Sequence, residues 1–202
     1  MGVTHTTIEK RAVRRRRQSV SDSDPTLSPS TRFAAIDFET ADSGRDSACA
    51  LAVVVVENGK IARREHRLIK PPRRDFIFSY LHGITWADVA GEPEFDAVWS
   101  DMASLIKDVD FIAAHNASFD RGVLRDCCEL AGIRPPAAPF VCTVKLARRA
   151  WDIRPTKLPD VCRKFRIKLN HHNALSDATA CARIVIRAVK AGFDPMSVVS
   201  RA

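Results

Sequence analysis

The segment Arg32–Ala41, RFAAIDFETA, constrains this chain more than any other. It starts as an apolar run suited to a buried strand and ends with two carboxylates, Asp37 and Glu39, two residues apart. Side chains alternate along a strand, so both acids leave the same face. Removing an unpaired charge from water is costly, and buried acids are therefore partnered. Two on one face require either Lys and Arg side chains from elsewhere in the fold or a divalent cation.

Other stretches add to the set. AHNASFD supplies Asn116 and Asp120, and HHNALSDA supplies His172 and Asp177. Two divalent ions roughly 4 Å apart can clamp a phosphodiester, one activating water and the other steadying the leaving oxygen. Mg2+ suits carboxylate oxygens with several retained waters. In such an arrangement Asp37 bridges both ions, Glu39 and Asp177 complete one shell, and Asp120 holds the other. His172 then takes the proton of the attacking water, because histidine titrates near neutral pH. Blander readings stand beside this one. Asp120 and Asp177 also suit the first turn of a helix, where the dipole favours acids, and Asp37 and Glu39 could pair with arginines.

The rest of the chain reads as one domain with a tail. Residues 1–31 contain KRAVRRRRQ followed by a Ser- and Pro-rich stretch, with no apolar face to bury. This is the composition of a disordered arm, either merely solvated or holding a polynucleotide by charge. Residues 32–194 form the folded domain, and 195–202 a short C-terminal tail. A net charge of +8 fits an anionic partner but does not define an activity. The six cysteines lack paired CxxC spacing, so they read as buried free thiols of a reducing, cytoplasmic setting, nucleoid-associated or not. No apolar run approaches the roughly 20 residues of a membrane span.

Within the domain, Asn58-Gly59 predicts a tight hairpin between strands 49–56 and 60–69, giving a three-strand meander with Arg32–Ala41. Residues 76–89, with His82, read as a loop with short helical turns. Helical periodicity covers 95–106, with Trp99 in the core, then 118–131, 144–151, 158–165 and 174–191. Residues 110–114 and 140–143 are short strands, so Asp120 falls just beyond a strand end, where open α/β sheets bind ligands. His115 reads as structural.

Asp37-Phe38-Glu39, His115 to Asp120 and His172 to Asp177, with LHGIT at 81–85 and Leu158-Pro159, resemble the motifs of the DEDD exonuclease superfamily. The likeness is to its His-containing (DEDDh) branch, with the proofreading subunit of bacterial DNA polymerase III and ribonuclease T. Its spacing assigns the catalytic histidine to His172 rather than His171. The resemblance implies a ribonuclease H-like α/β fold, a mixed five-stranded sheet of order 3-2-1-4-5 flanked by helices. It also implies 3′→5′ hydrolysis to nucleoside 5′-monophosphates, two Mg2+ or Mn2+ ions on Asp37, Glu39, Asp120 and Asp177, and substrate contacts near Phe38, Thr40, Ala41, His82 and Asn116. Where the family often has Glu-Thr-Thr-Gly, this chain has Glu39-Thr40-Ala41-Asp42. The expected substrate is a single-stranded 3′ end, DNA favoured. RNA 3′-end trimming and a proofreading role beside a polymerase or repair partner are the alternatives. A binding module without turnover would call for an incomplete acid set, and this set is complete. Monomer and homodimer both remain open.

Overall fold

The structure, a computed structural model, describes residues 31–200. The basic arm read from residues 1–31 lies outside the described residues except for Thr31. Strands β1 (Arg32–Thr40), β2 (Ala48–Glu57) and β3 (Lys60–Leu68) form an antiparallel meander. Asn58 and Gly59, at φ 52° and 70°, make its second turn, the left-handed pair that matches strand twist in a two-residue hairpin. Strand β4 (Phe111–Ala114) lies parallel to β1, and β5 (Phe140–Cys142) parallel to β4.

The expected order 3-2-1-4-5 is present, and a sixth strand, β6 (Val199–Ser200), is added antiparallel to β5. Residues 195–200 thus join the fold rather than trailing from it: a 3-10 turn over Pro195–Val198, with Pro195 and Val198 buried, leads into β6. A two-residue strand is too short to show a period in sequence.

The helices are α1 (Ser79–His82), α2 (Trp86–Val89), α3 (Phe95–Ile106), α4 (Ala117–Leu130), α5 (Thr143–Trp151), α6 (Leu158–Phe165) and α7 (Ala174–Lys190). They cover both faces of the sheet. On one face Ala34, Ile36 and Phe38 of β1 join Leu51, Val53 and Val55 of β2 against Trp99 and Met102 of α3 and Val123 and Leu124 of α4. On the other, Phe33, Ala35, Ala52 and Val54 meet Ala178, Cys181, Ala182 and Val185 of α7. The small residues of α7 let it lie close to the sheet. Truncating a filled position such as Leu124 to alanine costs about 2–5 kcal/mol.

Because β2 is covered on both faces, it is apolar up to its exposed last residue, Glu57, whereas edge strand β3 carries Arg63, Arg64 and Arg67, charges that discourage edge-to-edge pairing. All six cysteines are free and buried. No helix among the described residues is long and apolar enough to cross a membrane.

Candidate active site

Alternation along β1 sets the site. Phe33 and Ala35 point toward α7, so Asp37 and Glu39 emerge on that same face, at the carboxyl end of β1. The neighbouring parallel strand β4 ends beside them and turns at Asn116, whose left-handed φ of 68° starts α4. Asp120 then lies in the first turn of α4 and reaches back across β1, accepting a hydrogen bond from the Phe38 backbone N–H at 3.1 Å. From the other side of the sheet, the first turn of α7 supplies Asp177. Asn173 caps that helix, its side chain accepting from the Ser176 N–H at 3.0 Å. Two helix starts and one strand end thereby bring the acids to one cleft of about 860 Å³, lined by all four together with His171 and His172.

The electrostatics of this cleft are unusual for surface acids. Glu39, Asp120 and Asp177 are 9%, 2% and 4% exposed. Among the described residues, none of the four carboxylates is paired with Lys or Arg. Burial, then the charges of Asp120, Asp177 and Glu39, hold the Asp37 carboxyl well above its ordinary range. Burial and the charges of Asp177 and Asp120 push Glu39 up to about 8. Asp120 rises to about 7, mainly through burial, against the pull of the Phe38 N–H. Asp177 is raised by burial, with the His171 hydrogen bond opposing.

The neighbouring histidines differ in what they touch. His171 Nδ1 contacts Asp177 Oδ2 at 2.9 Å, and the His172 backbone N–H donates to the same oxygen at 3.1 Å. The two rings stack at 3.9 Å between centroids. The His172 ring itself has no hydrogen bond among the described residues and stays within the cleft lining. Its backbone sits at φ 64°, a left-handed conformation uncommon outside glycine but one that histidine, like Asn and Asp, adopts more often than most residues. Burial, then His171, lowers its pKa.

Among the residues expected to meet substrate, Phe38, Thr40, Asn116 and His82 line the cleft. His82 is already committed at both ring nitrogens. Nδ1 accepts from the Ile84 N–H at 3.0 Å, so Nε2 carries the proton and donates to the Thr40 carbonyl at 3.1 Å. Its ring fastens the end of β1 to the segment carrying α1. The Phe38 side chain is 3% exposed and belongs to the core. Ala41 is fully buried, and its backbone bonds Ser47 O and the Phe78 N–H, leaving it no surface to offer a substrate. His115 is structural: Nε2 donates to the Thr156 carbonyl at 3.0 Å and Nδ1 accepts from the Thr143 hydroxyl at 2.9 Å. Burial lowers its pKa to about 4 and keeps it neutral.

Sequence reasoning offered residues 76–89 as a wall beside the acids or a cover for the sheet edge, and missed the rest of the cleft lining. Phe78, Leu81 and Phe119 form apolar surfaces, and Arg148 and Lys157 bring positive charge. Arg148 Nε is held by Thr156 Oγ1 at 2.9 Å. Only the basic character of RRAW and the exposed aromatic at position 119 could have signalled them.

Among the described residues the His, Cys, Asp and Glu side chains do not by themselves close into a group of three or more that would hold an ion. The donors nevertheless suit a hard divalent cation. They are carboxylate oxygens brought together without a cationic partner, and Asp177 Oδ1 is buried with no hydrogen-bond partner. An orphaned buried oxygen of this kind costs about 1–3 kcal/mol unless something satisfies it.

This sheet and these acids place the chain in the class of DEDDh-type 3′–5′ exonucleases. The RNase T family model, described as an exonuclease, matches residues 34–185, and the chain belongs to that family. It is 33% identical over 166 residues to the PolC-type DNA polymerase III of Halalkalibacterium halodurans, covering 79% of this chain and 11% of that protein. To the 3′-5′ exonuclease DinG of Bacillus subtilis it is 30% identical over 161 residues, covering 77% and 17%. The chain thus spans 11–17% of the length of these curated relatives. Among solved structures, Exonuclease X in complex with 5′ overhanging duplex DNA aligns with a TM-score of 0.67 at 26% identity, covering 82% of this chain and 96% of that one. The nuclease domain of 3′hExo, bound to rAMP, aligns at 0.70 with 20% identity, covering 82% and 94%; that likeness concerns the fold. Membership carries metal-dependent hydrolysis at nucleic-acid ends.

Proposed function

We propose that this chain removes nucleotides from free 3′ ends of single-stranded nucleic acid, DNA favoured, releasing nucleoside 5′-monophosphates. Two divalent ions, Mg2+ or Mn2+, are held by Asp37, Glu39, Asp120 and Asp177, and His172 is the general base. The observation that carries this reading is the gathering of four acids in one cleft, none of them ion-paired to Lys or Arg among the described residues. Divalent ions bound there supply charge neutralisation at the phosphate and acidify water.

The chain's own groups do the remaining work. His171 Nδ1 and the His172 N–H fix Asp177 through one oxygen and leave Oδ1 open. The ring of His172, without a hydrogen bond among the described residues, is free to accept a proton from water in the cleft. Phe78, Leu81 and Phe119 offer faces for base and sugar, and Arg148 and Lys157 offer charge for phosphate. The preference for DNA rests on the relatives whose printed names concern DNA, the PolC-type polymerase III and Exonuclease X. RNA trimming would use the same acids, the 2′-hydroxyl being the distinction. The PolC-type relatives also favour a role beside a polymerase.

The test is the purified chain with Mg2+ or Mn2+ on end-labelled DNA and RNA strands of matched sequence. Stepwise shortening from the 3′ end, faster on DNA, with 5′-monophosphate products is expected. Absence of hydrolysis with either metal, or cleavage that proceeds from the 5′ end, would overturn the reading.

A further inference from the structure

The loop between β1 and β2 holds Asp42, Gly44, Arg45 and Asp46. Both of its acids are taken by one distant arginine. Arg73 Nε and Nη2 donate to Asp42 at 2.9 and 3.1 Å, and Nη1 and Nη2 donate to Asp46 at 2.7 Å each. Arg45, which lies between these two acids in sequence, is left without a carboxylate among the described residues. Its side chain lies instead across α4 at Gly122. A Cβ on Gly122 would meet Arg45 Nη1 at 2.7 Å, Cδ at 2.9 Å and Cζ at 3.0 Å. The missing side chain is what admits the guanidinium so near the helix.

Arg45 does not stand alone there. It shares a groove of about 640 Å³ with Arg121 and Arg125 of α4, walled by Ser118 and the proline-rich connection around Pro136. Residues 118, 121, 122 and 125 fall on one helical face, at the spacing of successive turns. Arg125 is partly neutralised by Asp126 at 2.8 Å, whereas Arg121, like Arg45, has no ion pair among the described residues. Arg121 follows Asp120 directly, and α4 rises about 1.5 Å per residue. The groove therefore begins on the flank of the same helix turn that presents Asp120 and Phe119 to the acidic cleft.

We infer that the Arg45–Arg121–Arg125 groove is a second nucleic-acid contact, binding backbone phosphates of the strand whose 3′ end occupies the acidic cleft. The inference rests on the exonuclease reading for the strand's polarity. A strand engaged at its last nucleotide must leave the cleft, and beyond Arg148 and Lys157 in the cleft wall its phosphates need further positive charge along the exit. Unpaired guanidiniums suit phosphate, offering planar forked donors. They do not read sequence, so the contact sets affinity and strand length rather than base preference.

The test compares the Arg45→Ala/Arg121→Ala double variant with the wild type on two substrates, a single strand of about 20 nucleotides and the p-nitrophenyl ester of thymidine 5′-monophosphate. The ester is too short to leave the cleft. Expected is a loss of kcat/KM of about 10-fold or more on the strand, with the ester rate unchanged. In parallel, fluorescence anisotropy of a labelled strand in EDTA follows binding without turnover. Affinity should fall, and the slope of log K against log salt should flatten by about 1.4, at ~0.7 per phosphate contact on single strands. Gly122→Ala gives a second route, since alanine suits a helix better than glycine while its Cβ displaces the Arg45 guanidinium; weaker strand binding is expected with the fold retained. Wild-type affinity and slope in the double variant, or equal losses on strand and ester, would overturn the inference. A wild type that binds the strand through these arginines but hydrolyses neither substrate would uphold the groove and defeat the exonuclease reading.

Discussion

Between residues 37 and 46 the chain carries two pairs of acids under opposite conditions. Asp42 and Asp46 face Arg73, whose hydrogen bonds hold both carboxyls below their usual range. Asp37 and Glu39 share their cleft with Asp120 and Asp177 and have no ion pair among the described residues, and burial with mutual repulsion holds them above it. The first pair has its cation within the chain and closes a loop. The second pair has none and is arranged for a cation from solution. The same residue types separated by a few positions thus divide into scaffold and site, and the presence or absence of one arginine distinguishes them.

The largest effect expected from breaking this contrast is on turnover. Asp37→Ala removes the acid central to the cleft while leaving the Arg73 clamp untouched, and hydrolysis at saturating Mg2+ should fall about 1,000-fold, the scale of losing a key electrostatic group. Near-wild-type turnover would deny Asp37 its role. Asp42→Asn should leave turnover within a few-fold.

Next in size is the separation of the histidines. His172→Ala keeps all four acids, so Mn2+ affinity should survive while single-turnover cleavage drops on the order of 100-fold. His171→Ala removes a hydrogen bond to Asp177 and should cost less. The rate measured across pH decides between them: if His171→Ala abolishes the acidic limb while His172→Ala retains it, His171 is the base.

Smaller, and most revealing of the two environments, are the pH-dependent stabilities of the metal-free protein. Raised carboxyls destabilise the fold as pH climbs from about 4, the unfolded value, toward the folded values of about 7 for Asp120 and about 8 for Glu39. Above those values the cost is complete. Asp120→Asn, which can still accept from the Phe38 N–H, should therefore raise Tm by a few degrees at pH 8 and leave it unchanged at pH 4. Lowered carboxyls act in the opposite sense, contributing stability above the unfolded value that is lost as pH falls through the folded one. Asp42→Asn should lower Tm slightly at pH 7, and the difference should shrink in acid. A salt bridge to a 39%-exposed Arg73 is worth little, so a degree or two is expected. Equal responses of the two variants to pH would erase the contrast.

Much of this could be read from residues alone, because period-two alternation and helix starts are local. Asp37 and Glu39 share a face by strand geometry, and α3 and α6 run over the residues that their periodicity indicates. What sequence did not reveal is long-range. Arg73 finds Asp42 and Asp46 across 31 and 27 residues, and nothing in RRD at 73–75 names its partners. Arg148 and Lys157 reach the cleft from α5 and the loop before α6, and no spacing links them to β1. Ala41 was expected near substrate from the family resemblance at Glu39–Asp42, yet the turn closed by Ser47 buries it. His82 lines the cleft as a substrate contact would, but nothing in LHGIT announced the two ring bonds that also tie down β1.

The most direct test of the central claim is calorimetric titration of the metal-free protein with Mn2+ at pH 7, in buffers of different ionisation enthalpy. Acids held at about 7 and about 8 must lose their protons to bind a cation. The account predicts saturable binding of two Mn2+ with net proton release, abolished or reduced to one weak site in Asp37→Ala and preserved in Asp42→Asn. Absence of saturable binding, binding without proton release, or equal binding by wild type and Asp37→Ala would contradict it.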